Sequence, residues 1–258
     1  MSDELRRFAL DLLDETDAVV LRHLRSGLDV RTKADSTFVT QVDTEVESLI
    51  RDRIGAVYPS HGVLGEEFGA DPGDGETRWI VDPIDGTNNL VRGIPVFGTL
   101  LAVEEAGDLI AAAISAPALS RRWHAARGQG AAVRDLLGER PIRVSSVDQL
   151  RDAQLVTAGV RPMEAAGFGD AMARLRAGAW RDRGFGDFWG YMLVAEGAAD
   201  VMLEIGVTLW DLAAPALIVQ EAGGRMTDFT GNPSHAGPQS LASNGALHEA
   251  VLAVLGGG

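Results

Sequence analysis

A chain of 258 residues with 46% hydrophobic and 23% charged side chains has ample material for a sizeable core and the make-up of an ordinary globular protein, which excludes collagenous, low-complexity and disordered classes. Its net charge of −14, from 37 acidic against 23 basic residues, argues against a nucleic-acid partner; without a cysteine there is no disulfide, thiolate nucleophile or Cys-ligated zinc or iron–sulfur centre. The opening Met1-Ser2-Asp3-Glu4-Leu5-Arg6 lacks the basic-then-apolar plan of a signal peptide, and the longest mostly apolar run, Leu109 to Leu119, is shorter than the roughly 18 residues that span a bilayer, so a cytoplasmic protein with no membrane partner is expected.

Leu5, Phe8, Ala9, Leu12, Leu13, Thr16, Val19, Val20 and Leu24 recur at helical spacing from about Ser2, and Gly27 is placed to stop that helix. Lys33-Ala34-Asp35-Ser36 reads as a loop. A second amphipathic helix begins near Thr40, with Val42, Val46, Leu49, Ile50 and Ile54 on one face. Thr40-Gln41-Val42-Asp43 fits a capping box, a structural use of Asp43 that competes with a catalytic one. Pro59 to Gly65 reads as irregular and ends at Glu66-Glu67; Asp71 to Gly75 reads as an exposed turn.

Trp79-Ile80-Val81-Asp82-Pro83-Ile84-Asp85-Gly86-Thr87 organises the rest. Trp79 to Val81 suits a buried strand, and Pro83, having no N–H, is expected to end its pairing, which leaves Asp82 and Asp85 at the strand's C-terminal end. Gly86 allows a positive φ and a close approach to an anion, Thr87 supplies a hydroxyl, and the Ile84 carbonyl lies between the carboxylates as a third oxygen. Hard cations such as Mg²⁺ want such oxygens, although Asp, Pro and Gly also make plain surface turns.

Two hairpins follow, Val96–Val103 with Leu109–Ser115 and Arg122–Ala126 with Ala131–Val133, which makes the first half an antiparallel-rich sheet with helices. A change of rhythm near 140–150 suggests an internal boundary. Beyond it come a strand at Leu155–Ala158, a helix near Met163–Ala177, a Gly-rich turn at Gly184–Asp187, a helix over Phe188–Gly197 and a strand at Val201–Glu204. Pro215, tolerable only in a first turn, puts Asp211 at or just before the start of the next helix, where it suits a metal ligand or an N-cap. Arg225–Phe229 and Leu241–Ser243 read as closing strands and Ala246–Leu255 as a final helix.

Gly65-Glu66-Glu67, then Asp82-Pro83-Ile84-Asp85-Gly86-Thr87, then Trp210-Asp211 followed by Glu221-Ala222-Gly223-Gly224 resembles, in that order, the inositol monophosphatase family of Mg²⁺-dependent, lithium-sensitive phosphatases. The likeness runs from Lys33-Ala34-Asp35 and Val39-Thr40 to Ala242-Ser243-Asn244-Gly245. It implies one domain over 1–258, with halves of about 1–145 and 146–258, in an α+β or α/β layered αβαβα sandwich, and a homodimer as the common assembly. It further implies Glu66, Asp82 and the Ile84 carbonyl on one Mg²⁺, Asp82, Asp85 and Asp211 on a second, and Glu66 near a third, with Mn²⁺ as a substitute. Thr87, oriented by Asp43, and Glu66 would position and deprotonate a metal-activated water for direct in-line attack, with the Gly86 and Thr87 N–H groups facing the phosphate. The three-residue spacing of Asp82 and Asp85 and the intervening proline disfavour the aspartyl-phosphate chemistry of D-x-D-G-T haloacid-dehalogenase-type enzymes.

Ile114-Ser115-Ala116-Pro117-Ala118-Leu119, Arg121-Arg122-Trp123 and Arg183-Gly184-Phe185-Gly186-Asp187-Phe188-Trp189-Gly190-Tyr191 are most similar to the histidinol-phosphate phosphatase branch. Glu204 falls where the family contacts the substrate alcohol, and Asp187 where inositol-specific members carry a small neutral residue. Against a neutral polyol that carboxylate would be desolvated without a partner, whereas the ammonium of L-histidinol phosphate would pair with it. A helix cap is the structural alternative for Asp187. Inositol 1-phosphate is the alternative substrate, fructose 1,6-bisphosphate and 3′-phosphoadenosine nucleotides stand lower, and a non-catalytic metal and phosphate sensor is the reading from another class. Arg183 reads as a phosphate, subunit or solvent contact, Trp189 and Tyr191 as imidazole neighbours or core, and the five histidines show no ligand spacing.

Overall fold

Two units, Met1–Arg140 and Pro141–Gly258, make up the residues that the computed structural model describes, 1–27, 30–32, 38–73 and 75–257. The expected loop Lys33-Ala34-Asp35-Ser36 and Asp74 of the expected turn lie outside the described residues.

In the first unit the apolar stripe from Leu5 folds as α1 (Ser2–Ser26), ended by Gly27 at φ 98°. Leu5, Ala9, Leu12, Leu13, Thr16, Val19 and Val20 are buried, while Leu24 is solvent-exposed at the last turn. β1 (Val30–Thr32) and β2 (Phe38–Thr40) pair antiparallel, and α2 (Gln41–Val57) buries Val42, Val46, Ile50 and Ile54. There follow β3 (Gly62–Gly65), β4 (Gly69–Asp71), β5 (Thr77–Asp85), α3 (Thr87–Arg92), β6 (Gly98–Glu105), β7 (Asp108–Ala116), β8 (Arg121–Ala126), β9 (Ala131–Asp135) and β10 (Gly138–Ile142). Their sheet has the order β10-β9-β8-β7-β6-β5-β3-β4. β3 runs parallel to β5 and the registered neighbours on either side are antiparallel. The stretch expected to be irregular before Gly65 is therefore β3, too short for periodicity to reveal and paired with a strand beyond an intervening turn.

Trp79, Val81, Leu101, Val103, Ala111 and Ala113 point to one face of this sheet and share a core with the buried faces of α1 and α2. Strict alternation from Trp79 turns Asp82 to the opposite face.

In the second unit come β11 (Gln154–Thr157), α4 (Val160–Ala165), α5 (Gly169–Gly178), β12 (Arg181–Arg183), α6 (Asp187–Ala195), β13 (Val201–Ile205), α7 (Leu209–Glu221), β14 (Arg225–Thr227), β15 (Gln239–Ser243) and α8 (His248–Gly256). The sheet order is β12-β11-β13-β15-β14, with β11 parallel to β12 and β13, and β15 antiparallel to β13 and β14. Leu155, Val201, Leu203 and Leu241 pack with Met163, Met172, Leu175, Val251 and Leu255 from α4, α5 and α8. Helices laid on mixed sheets, in each unit, give the layered α/β class.

Two expectations are corrected here. The single helix foreseen over Met163–Ala177 is two, because Gly167, at φ 87°, takes the left-handed conformation that breaks α4 from α5. Pro215 lies inside α7, not in its first turn; α7 starts at Leu209 with Thr208 as N-cap, so Asp211 is already its third residue. The missing N–H is an outlay of about 3 kcal/mol in a helix interior. Leu212 to Val219 are all buried, and that packing offsets it.

Candidate active site

Asp82 and Asp85, three apart, would face opposite sides of a regular strand. The pairing with β6 shows how they come together: Asp82 stands opposite Leu100 and Asp85 opposite Gly98, so three steps on β5 match two on β6. That β-bulge, between Asp82 and Asp85, inserts one residue and reverses the alternation. Ile84 consequently turns back into the α1 and α2 core, and Asp85 aims to the side of Asp82. One oxygen of each carboxylate lies within 4.8 Å of the other, and both residues are buried. Pro83 thus does not end β5, the strand continuing to Asp85; its carbonyl accepts the Thr99 hydroxyl at 2.9 Å.

Gly86 follows at φ 79° as N-cap of α3, and a Cβ there would stand 2.8 Å from the Val96 carbonyl, so only glycine makes this turn. Asn89 braces it by donating to the same carbonyl at 2.8 Å. Thr87 Oγ1 lies 2.8 Å from the Ile84 carbonyl and 3.0 Å from Asp43 Oδ1. A hydroxyl has one proton to donate and two lone pairs to accept with, so these acceptors fix which way the lone pairs point.

Asp43 serves as cap and as partner to Thr87. Its Oδ2 accepts the Thr40 N–H at 2.8 Å and the Thr40 hydroxyl at 2.6 Å, closing the capping box, while Oδ1 takes Thr87. Burial pushes its carboxyl above the usual range, and the Thr40 and Thr87 bonds act in the opposite sense. Glu66, half-buried, stands in the turn after β3, where its N–H donates to the Val81 carbonyl at 3.3 Å and so places it beside Asp82 along the sheet.

Within the second unit, Asp211 also closes a capping box, its Oδ2 accepting the Thr208 N–H at 2.6 Å and the Thr208 hydroxyl at 3.1 Å. On β13, alternation puts Glu204 with Met202 on the face that α6 covers: a Cβ at Gly190 of α6 would meet the Met202 sulfur at 2.4 Å. Glu204 Oε1 accepts the Asp187 N–H at 3.2 Å. Burial first, and the Asp187 charge second, push the Glu204 carboxyl up to about 8. Asp187 does not cap α6, whose N-cap is Gly186; it is the first helical residue, held at φ 58° in the left-handed region that non-glycine residues avoid. Trp189 is half-buried with its ring edge-on to Phe188, Tyr191 is buried, and Arg183 is exposed on β12.

Every donor at the strand end is a hard oxygen, and two carboxylates buried this close repel unless a cation or a proton stands with them. The residues fit a divalent cation of the Mg²⁺ or Mn²⁺ kind and not a thiolate-preferring metal.

The model of the inositol monophosphatase family matches residues 1–256. The chain belongs to that family. It is 45% identical over the whole of both chains to a histidinol-phosphatase of Mycobacterium tuberculosis, and 42% identical to one of Streptomyces coelicolor, over 98% of this chain and 97% of that one. Among solved structures it is similar to the IMPase of Thermotoga maritima, with a TM-score of 0.87, 30% identity and coverage of 98% and 96% of the two chains.

Membership makes the protein a phosphatase, a hydrolase of phosphate esters from a metal-dependent family, and the acidic strand end is consistent with that. Among the described residues no helix is long and apolar enough to cross a membrane. Thr99 and Asn89, which fix the bulge and the Gly86 turn, were missed by motif reading. Asn89 follows Gly86-Thr87 closely enough for turn chemistry to have suggested it, whereas nothing local marks Thr99.

Proposed function

We propose that the protein hydrolyses L-histidinol phosphate to L-histidinol and phosphate in the cytoplasm. The observation that carries this reading is the pair of carboxylates in the second unit, Glu204 raised to about 8 and Asp187 bound to it through its N–H in a strained backbone. The charges that act on Glu204, those of Asp187 and Asp211, are both negative, and strain kept at a residue is a mark of use. A cationic amino-alcohol ester supplies the charge; a neutral polyol does not. The 35–45% identity to proteins named histidinol-phosphatase supports the same substrate.

Asp82, the Ile84 carbonyl, Asp85, Glu66 and Asp211 are the residues that would hold two or three Mg²⁺ ions. Such ions, when bound, supply charge neutralisation on the phosphoryl oxygens and lower the pKa of water. The chain does the rest. Thr87, its proton engaged by Asp43 or the Ile84 carbonyl, offers oxygen lone pairs to the attacking water, and Glu66 takes the proton that water loses. Gly86 and Thr87 turn their N–H groups to the phosphate, the phosphorus–oxygen ester bond breaks in line, the leaving oxygen takes a proton from solvent water to become the alcohol, and Asp187 and Glu204 pair with the ammonium of that amino alcohol. A homodimer completes the reading, supported by the exposed Trp180 and Phe185 flanking β12.

Side-by-side phosphate release with Mg²⁺ tests the proposal. L-Histidinol phosphate is expected to give the higher kcat/KM, and preference for inositol 1-phosphate would refute it.

A further inference from the structure

Glu47 is wholly buried, one turn beyond Asp43 on the same face of α2. Its carboxylate accepts the Glu67 N–H at 2.8 Å and the Phe68 N–H at 3.2 Å, the two amides that follow Glu66. Arg51, a further turn along, donates Nε to Glu47 Oε1 at 2.8 Å, donates again to the Gly69 carbonyl, and stands over the Phe68 ring at 5.9 Å. Two side chains from one helix therefore hold the turn from Glu66 to Gly69 at each of its last three residues.

Gly65 belongs to the same device. A Cβ there would stand 2.0 Å from Glu47 Oε1, so the residue before Glu66 is glycine because the carboxylate fills the space a side chain would take. A buried carboxylate is costly unless hydrogen-bonded and paired, and this one is both.

We infer that Glu47 is a positioning residue for Glu66. α2 then carries two buried carboxylates one turn apart: Asp43 reaches Thr87 at 3.0 Å and Glu47 reaches the amides behind Glu66. One rigid helix sets the separation of the two groups that flank the attacking water. The inference rests on the reading of Glu66 given above.

The test measures phosphate release from L-histidinol phosphate as kcat, KM and the Mg²⁺ concentration for half-maximal rate, together with Tm, in Glu47→Gln, Glu47→Asp and Glu66→Gln. For Glu47→Gln we expect kcat to fall on the order of tenfold to a hundredfold, the usual loss when an outer partner of a metal site goes. KM should hold and the Mg²⁺ requirement should rise. Glu47→Asp keeps the charge and should recover part of the loss. A merely structural Glu47 would lower Tm and leave kcat and the Mg²⁺ requirement of the folded enzyme unchanged, which would overturn the inference. Should Glu47→Gln not fold, Glu47→Asp, withdrawn by one methylene, must still shift both readouts. If Glu66→Gln retains full kcat, it is the reading of Glu66 that fails, whatever the Glu47 variants do.

Discussion

His248, at the start of α8, should make the protein lose stability as pH falls below neutrality. Its ring is wholly buried. Thr227 Oγ1 lies 2.9 Å from Nε2 and 2.7 Å from the Asp228 carbonyl, so its proton goes to that carbonyl and Nε2 carries the ring hydrogen. Nδ1 accordingly accepts from Ser243 Oγ at 2.8 Å, which itself accepts the Gly245 N–H at 3.1 Å. A second ring proton, on Nδ1, breaks the hydrogen bond that Ser243 donates there. Burial, followed by the Arg225 charge, lowers the ring's pKa to about 4, and the N-terminus of α8 adds its own repulsion. An unfolded histidine titrates near 6.5, so the unfolded chain takes up the proton first and stability drops as pH falls from about 6.5 to about 4. The linkage is worth about 2 kcal/mol at pH 5 and about 3 kcal/mol once complete. Urea unfolding of the metal-free protein and of His248→Gln, followed from pH 7.5 to 4.5, reads it directly. The variant should be the less stable at pH 7.5 by about 1 kcal/mol for its lost hydrogen bond, and the gap should close or invert by pH 5. A gap that stays constant over that range would refute the argument.

Asp85→Asn removes one of the paired buried charges, so it should abolish turnover while the metal-free protein becomes no less stable, as calorimetry of the two proteins would show. Asp43→Asn should lower kcat with KM for substrate unchanged, because the amide turned toward Thr87 can offer its proton where Oδ1 accepted one; steady-state kinetics checks the split. Asp187→Asn keeps a residue that tolerates the left-handed region while removing the charge beside Glu204. We expect KM for L-histidinol phosphate to rise roughly tenfold or more, the worth of a charge-assisted bond, with that for inositol 1-phosphate unchanged.

Long elements with a sustained period were legible in the sequence, and short ones paired far along the chain were not. α1 and α2 showed helical stripes, and the β6–β7 and β8–β9 hairpins showed apolar runs about a polar turn. β3, β4 and β12 have three or four residues each, too few for any period, and their partners lie beyond intervening turns or helices. The acidic strand end was readable as a motif, but its geometry was not. Only the β6 register reveals that the residue inserted between Asp82 and Asp85 turns both to one side.

The two capping boxes show why a structural and a functional use of a carboxylate need not compete. Thr40-Gln41-Val42-Asp43 and Thr208-Leu209-Trp210-Asp211 have the same pattern and the same bonds, with Oδ2 taking both the N–H and the hydroxyl of the threonine. Anchoring one oxygen at two points removes the side chain's rotational freedom, so the ordering cost is met by the helix cap before any ligand arrives. At Asp43 the second oxygen is delivered to Thr87 with the direction already set. An aspartate that closes a capping box is therefore a better candidate for a site than one that does not, because the cap supplies the rigidity that positioning a hydroxyl or a cation requires.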